Sequence, residues 1–256
     1  MRAYKFRLYP SKEHKRHINS HLEISKDIWN ILLEANIKTY GKEGRFLSKG
    51  EMQDMVKNSG LHSQVAQTLS HRLLNALRRK ISMKNQGKEC GFPRFKNFDR
   101  MKSLYYPQSG FSLRKRLMVT PFGGIQIKKH REIKGMIKTL TVKREASGKY
   151  FAIFCVQEEK TKPRENNGER AGIDLGLSSF ATLSNGKIIN NPRHFREHEE
   201  RLAAAQRRLS RCRKGSRNRR KAKLKVARIY EKIANCRNDF LHKQSSELVN
   251  TYAYIA

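Results

Sequence analysis

The stretch Ala171-Gly172-Ile173-Asp174-Leu175-Gly176-Leu177-Ser178-Ser179-Phe180-Ala181-Thr182-Leu183-Ser184-Asn185-Gly186-Lys187-Ile188-Ile189 decides how this chain reads. Its opening residues make an apolar strand that holds one carboxylate, Asp174. Ser179 to Leu183 makes a second strand, Asn185-Gly186 is a turn pair, and Lys187 to Ile189 begins a third. Three consecutive antiparallel strands are expected, with Asp174 buried on the first. A buried lone carboxylate costs free energy unless something compensates its charge. A bound divalent cation is one compensation, and a tight Asp-Leu-Gly turn is the competing reading.

Working outward, the period lengthens after this trio. A long helical region is expected from about Arg196 to Val249, turned back on itself at Gly215-Ser216. Within it Val226, Ile229, Ile233, Cys236 and Phe240 alternate at spacings of three and four, a narrow seam for packing on another surface. Thr251 to Ala256 reads as the start of a further buried strand. On the other side, residues 161–170 are polar, with Pro163, Asn166, Asn167 and Gly168, and predict a linker. Before it come two hairpins. Leu117 to Thr120 and Ile125 to Lys128 flank one turn, and Ile137 to Arg144 and Tyr150 to Val156 flank the other. Residues 2–9 alternate as a strand stopped by Pro10, and Ser11 to about Lys84 is helical, with Leu69, Leu73 and Leu77 on one stripe. The expected fold is α+β and multi-domain: a β-barrel interrupted by a helical insertion, then a second mixed unit.

Charge narrows the partners. With 56 Lys and Arg against 22 Asp and Glu, the net charge is +34, an excess that favours a polyanion. The sequence contains no long apolar segment, so nucleic acid rather than a membrane is the expected partner, in the cytoplasm. Residues 201–226 hold twelve cations and no acid: Arg201, Arg207, Arg208, Arg211, Arg213, Lys214, Arg217, Arg219, Arg220, Lys221, Lys223 and Lys225. Like charges at this density repel along a helix, and phosphates relieve the repulsion. A second patch joins Arg78, Arg79, Lys80, Arg94 and Lys96 with the rings of Tyr105 and Tyr106, a combination that holds splayed bases. Phe92 and Phe95 read equally well as stacking rings or as core plugs. Cys90, Cys155, Cys212 and Cys236 are scattered with no C-x-x-C pair, so no zinc is expected within these residues. The histidine groups His14, His17, His21 and His194, His198 lack metal spacing and are expected on a wet or phosphate-facing surface.

Acids at strand ends that hold catalytic ions are a feature of ribonuclease-H-like nucleases. With Gly91-Phe92-Pro93-Arg94-Phe95-Lys96, Gly172-Ile173-Asp174-Leu175-Gly176, and the run from Arg208-Leu209-Ser210-Arg211 through Asn235 to Asp239-Phe240-Leu241-His242-Lys243, the chain resembles the TnpB (OrfB) proteins of insertion sequences, relatives of the type V CRISPR effectors. The resemblance implies an OB-like wedge β-barrel at residues 1–10 and 101–160, a helical recognition insertion at 11–100, and the N-terminal part of a RuvC nuclease domain at 171–256. It also implies a guide RNA from the transposon end, a double-stranded DNA target, and a prokaryotic, nucleoid-associated setting. Asp174 matches the family's first catalytic, metal-binding acid. The family's second acid, its zinc-binding cysteines and its third acid lie past Ala256 in the family pattern. The expectation is therefore a C-terminally truncated chain with an incomplete Mg²⁺ site, able to bind RNA and DNA without cutting. The rival reading is a non-catalytic RNA/DNA-binding ribonucleoprotein or regulator.

Overall fold

The computed structural model describes residues 1–158 and 168–256. The chain divides into two compact units, residues 1–159 and 160–256. Most of the linker expected at 161–170 falls in 159–167, outside the described residues.

The first unit opens with strand β1 (Arg2–Tyr9), which buries Tyr4, Phe6 and Leu8 and turns Lys5 and Tyr9 outward. Pro10 cannot donate to the ladder and stops it. Ser11 then caps helix α1 (Lys12–Glu43), its hydroxyl accepting from the His14 amide. α1 buries Ile18, Leu22, Ile28, Trp29, Leu32 and Leu33, and ends where Gly44 takes the left-handed φ of 69°. Helices α2 (Lys49–Val56) and α3 (Ser63–Asn85) follow, the latter burying the Leu69, Leu73 and Leu77 stripe. Asn36 joins α1 to the loop before α2. It is fully buried; its Nδ2 donates to the Leu32 carbonyl at 2.7 Å, and its Oδ1 accepts the Leu47 amide at 3.0 Å.

Six strands complete the unit: β2 (Ser103–Tyr106), β3 (Phe111–Leu113), β4 (Leu117–Val119), β5 (Gly123–Lys128), β6 (Met136–Arg144) and β7 (Tyr150–Gln157). All pairings are antiparallel, in the order β2-β6-β7-β1-β5-β4-β3. The expected hairpins are β4–β5 and β6–β7; β2 and β3 are too short to show a period in the sequence. The edge strands β2 and β3 are joined by residues 107–110 alone, a reach of at most roughly 18 Å. Tyr106 donates its hydroxyl to the Thr120 carbonyl at 2.9 Å across that gap, so the sheet curls into a nearly closed barrel. β1 lies inside it, bonded on both edges. One contiguous core runs from Phe6, Leu8 and Phe154 of the barrel through Trp29, Leu33 and Leu73 of the helices.

The second unit is also mixed. β8 (Arg170–Ala171) and β9 (Ile173–Leu175) continue one line of chain, followed by β10 (Ser179–Leu183), β11 (Ile188–Asn190), α4 (Arg196–Arg211), α5 (Arg217–Thr251) and β12 (Tyr254–Ile255). The antiparallel trio has the order β11-β10-β9, and β12 lies parallel to β8. Ala171, Ala181, Leu183, Ile189 and Tyr252 form its small core. Of the α5 seam, only Ile233 is fully buried; Val226, Ile229, Cys236 and Phe240 are half-buried. Among the described residues, no helix is long and apolar enough to cross a membrane.

Asn36→Ala strips a buried amide that serves one carbonyl and one backbone amide. It should cost about 1–3 kcal/mol of stability, seen as an earlier denaturant midpoint. An unchanged midpoint would show that Asn36 does not hold the loop.

Candidate nucleic-acid interface

The α4–α5 hairpin is the most cationic feature of the molecule. α4 suits its own dipole, with Glu197 and Glu199 in its first turn and Arg208 and Arg211 in its last. The reversal is made by Ser216, whose hydroxyl caps α5 by accepting from the Arg219 amide at 3.1 Å. Arg219 Nη1 donates to the Leu209 carbonyl at 2.8 Å and the Cys212 carbonyl at 3.1 Å, satisfying carbonyls at the end of α4. Arg219 therefore clamps the end of α4 to the start of α5. Arg207, Arg208, Arg211, Arg213, Lys214, Arg217, Arg220 and Lys221 are all exposed. The first turn of α5 contains no acid, so cations crowd the positive end of a helix dipole. That placement is unfavourable for the free helix and favourable once an anion arrives.

In the first unit, Asn30 organises the Arg94–Lys96 segment. Its Nδ2 donates to the Lys96 carbonyl at 2.9 Å and its Oδ1 accepts the Lys96 amide at 2.8 Å. Trp29 Nε1 donates to the Arg94 carbonyl at 3.3 Å. Arg94 is exposed. Lys96 is not the outward cation expected: its Nζ lies 3.2 Å from the Trp29 ring centroid. Burial, with the Arg72 charge adding to it, pulls its pKa down to about 8. Lys80 is likewise occupied, donating to the Cys90 carbonyl at 2.6 Å and lying 4.7 Å from the Phe92 ring centroid. Phe92 packs on Tyr40 and Phe46, whereas Phe95 is exposed. Arg78 and Arg79 are exposed. Tyr105 is half-buried, but Tyr106 is a core residue at 1 % exposure, and burial pushes its phenol pKa up. Its ring cannot stack on a base, which corrects the expected pairing of the two tyrosines. Sequence reasoning misses Asn30 and Trp29; the one signal for them is that Trp29 is the only tryptophan in the chain.

Asp174 also departs from expectation. It is exposed on β9, an edge strand, not buried on a central one. β12 pairs with Arg170 and Ala171, and the Ala256 carbonyl accepts the Ile173 amide at 2.8 Å. Asp174 lies one residue past that pairing and faces β10 alone, opposite Thr182. Leu175 and Leu177 beyond it are exposed too. A cleft of about 700 Å³ opens beside this turn, lined in part by Leu177, Phe180, Phe195, Arg237 and Phe240. Among the described residues, no group of three or more His, Cys, Asp and Glu could hold a metal ion. His194 and His198 are not on a wet surface: their side chains are 20 % and 12 % exposed. His14 completes the capping box of α1.

Residues 153–256 match a family of insertion-sequence OrfB proteins described as "Probable transposase". Residues 1–45 match a second OrfB family, described as "Helix-turn-helix domain". The chain is 33 % identical to a "Putative RNA-guided DNA endonuclease" of Streptomyces pristinaespiralis, over 97 % of its own length and 64 % of that relative. It is 27 % identical to "Putative RNA-guided DNA endonuclease InsQ" of Escherichia coli K12, over 100 % of its length and 65 % of that relative. The chain belongs to the TnpB (OrfB) family. It spans under two thirds of the length of these two TnpB-type relatives. A solved CRISPR-Cas12f ternary complex is 14 % identical with a TM-score of 0.37, covering 91 % of this chain and 60 % of that one, a likeness too weak to assign a fold by. In this TnpB-family chain the 1–45 match folds as β1 and the single helix α1, with no second helix within it.

The Lys96 environment makes a pH-dependent claim. Its folded pKa is below the ordinary lysine value, so between about pH 8 and the unfolded value near 10.5 the unfolded chain binds the extra proton. Stability from this group therefore rises as pH rises through that window. Lys96→Met removes the effect. The melting temperature of the unaltered chain, relative to Lys96→Met, should climb from pH 7.5 to about 10. A constant difference would show that Lys96 is not held in a charge-opposing site.

Proposed function

We propose that this chain grips a guide RNA and a target DNA as part of a transposon-associated, RNA-guided DNA endonuclease system. The observation that carries the reading is the α4–α5 hairpin, where Arg207, Arg208, Arg211 and Arg213 are exposed in a 26-residue span, 201–226, without one acid. A surface of this kind gains affinity for any phosphate backbone by releasing condensed counterions. The names of the two curated relatives supply the guide and the target. The nearly closed barrel with helices between its first two strands supports reading 1–10 and 101–160 as a wedge domain and 11–100 as a recognition insertion. The antiparallel β9–β10–β11 trio, with the parallel β12 beside β8, supports reading 171–256 as part of a RuvC-like, ribonuclease-H-type domain.

Within that reading Asp174 is a metal ligand of the family's nuclease site, exposed at the middle of β9. The residues described do not complete such a site. Mg²⁺ gives up its waters reluctantly and takes one or two carboxylates plus phosphate oxygens, and a two-ion arrangement needs more acids than one. Among the described residues, Asp174 belongs to no group of three or more His, Cys, Asp and Glu that could hold a metal ion. The chain as given is accordingly proposed to bind without cutting.

Two measurements test this. Replacing Arg207, Arg208, Arg211 and Arg213 with Ala should flatten the slope of log affinity for structured RNA against log salt by about 3, at roughly 0.7–0.9 for each phosphate no longer neutralised. An unchanged slope would remove the hairpin from the interface. For the second, the chain is incubated with transposon-end RNA, Mg²⁺ and a matched DNA duplex. No guide-directed cleavage is expected, and Asp174→Ala should leave RNA affinity unchanged. Cleavage that disappears in Asp174→Ala would overturn the non-cutting claim.

A further inference from the structure

We propose that the cleft beside the turn between β9 and β10 is a docking site for an acidic peptide segment of a partner protein, one that carries an aromatic or branched apolar side chain. The inference goes beyond the nucleic-acid reading above and does not depend on it.

The cleft lies wholly within the second unit, and its volume of about 700 Å³ is enough for a compact ligand or a few side chains. Its rings pack on one another. Phe240 meets Phe180 at 5.0 Å and His194 at 6.1 Å, both edge to face. Leu177, Phe195 and Leu241 also line it and are exposed, Leu177 at 94 %. Apolar surface left open in this way, with a charged rim, marks a place where something binds. The rim is held under strain. The Asn191 side chain accepts the Arg193 amide at 3.1 Å, and Arg193 takes a φ of 46°, the one non-glycine residue with positive φ among the described residues. Side chains other than glycine rarely adopt that conformation, and such strain gathers at ligand clamps.

Charge selects the occupant. Arg193, Arg196 and Arg237 line the cleft and are exposed, and no Asp or Glu is among its lining residues. A chain of net charge +34 steers acidic partners toward itself, and the apolar lining retains those that bring a side chain to bury. A nucleic-acid strand fits less well. Bases stack on open ring faces, whereas Phe240 stands at 84° to Phe180 and 77° to His194, with no parallel pair to sandwich a base. A detached small molecule also fits less well, because its pocket ordinarily encloses most of its surface, and this cleft is open along Leu177, Phe195 and Leu241. His194 adds a need that a peptide backbone meets. Its Nδ1 faces Glu197 at 3.5 Å, while its Nε2 is buried with no hydrogen-bond partner among the described residues. A backbone carries both an N–H and a carbonyl, so it satisfies that nitrogen in either tautomer.

The test titrates the full chain, at physiological salt, with a fluorescein-labelled peptide of aspartates around a single phenylalanine, and with the same peptide carrying alanine instead. The two peptides have equal charge, so unspecific attraction to the cationic chain cancels in the ratio of their affinities. The phenylalanine peptide should bind about tenfold tighter or more. Leu177→Asp, a change at an exposed turn, should bring that ratio close to one. Arg237→Glu should weaken the phenylalanine peptide severalfold and leave the alanine peptide nearly unchanged. A peptide with benzoylphenylalanine at the aromatic position should photocrosslink to Leu177, Phe195 or Leu241 of the unaltered chain, a readout that survives if a variant fails to fold. Equal affinities for the two peptides, a ratio that outlasts Leu177→Asp, or adducts confined to Arg207 through Lys221 would overturn the site. A single-stranded RNA that displaces the phenylalanine peptide and itself loses affinity in Leu177→Asp would reassign the cleft to nucleic acid and overturn the peptide. Failure here with an intact α4–α5 salt slope leaves the nucleic-acid reading standing.

Discussion

Self-repulsion of a chain with a net charge of +34 is the constraint that the rest of the structure answers. Few acids are available, and several are placed where a helix already favours them: Glu13, Glu51, Glu197 and Glu199 lie in first turns. Several of the cations are held in place without carboxylates. Some lie on rings, as Lys96 does on Trp29, Lys80 on Phe92 and Arg144 on Phe98. Others donate to carbonyls, as Arg219 does at the end of α4 and Arg144 does to Phe98. Each device ties a cation to the fold while leaving its charge in place.

The cations left without such devices are the ones on which the proposed interface draws. Arg94 stays exposed while Lys96, two residues on, is folded against Trp29. Arg220 stays exposed while its neighbour Arg219 closes the hairpin. The unanswered charges concentrate in the hairpin between Arg207 and Lys221, at the crowded start of α5. Folding there leaves an electrostatic cost that a polyanion reverses.

The elements with clear periods are legible in the sequence. β1, both hairpins of the barrel, the antiparallel trio and the two long helices follow from alternation or from three-and-four spacing, which local sterics impose regardless of context. What is not legible depends on neighbours distant in sequence. Asp174 is in an apolar run, yet it is exposed on β9, and the exposure of a strand residue depends on what packs beside it. Tyr105 and Tyr106 look equivalent because β2 is only four residues long, yet adjacent strand positions face opposite sides and only one can be wet. The same rule is obscured in Tyr150 to Val156, where an unbroken apolar run conceals that Phe151 and Ile153 face outward. Lys96 and Arg219 are unreadable for a different reason, since a ring or a carbonyl as partner leaves no mark in charge counting.

The central claim is that the α4–α5 hairpin is a charge-strained element completed by RNA. Amide hydrogen exchange across residues 207–225 measures this directly, in the free chain and with structured RNA added at low salt. The account predicts fast exchange at the start of α5 in the free chain, slowing markedly on RNA addition and returning when salt is raised. Amides already protected in the free chain and unmoved by RNA would contradict it.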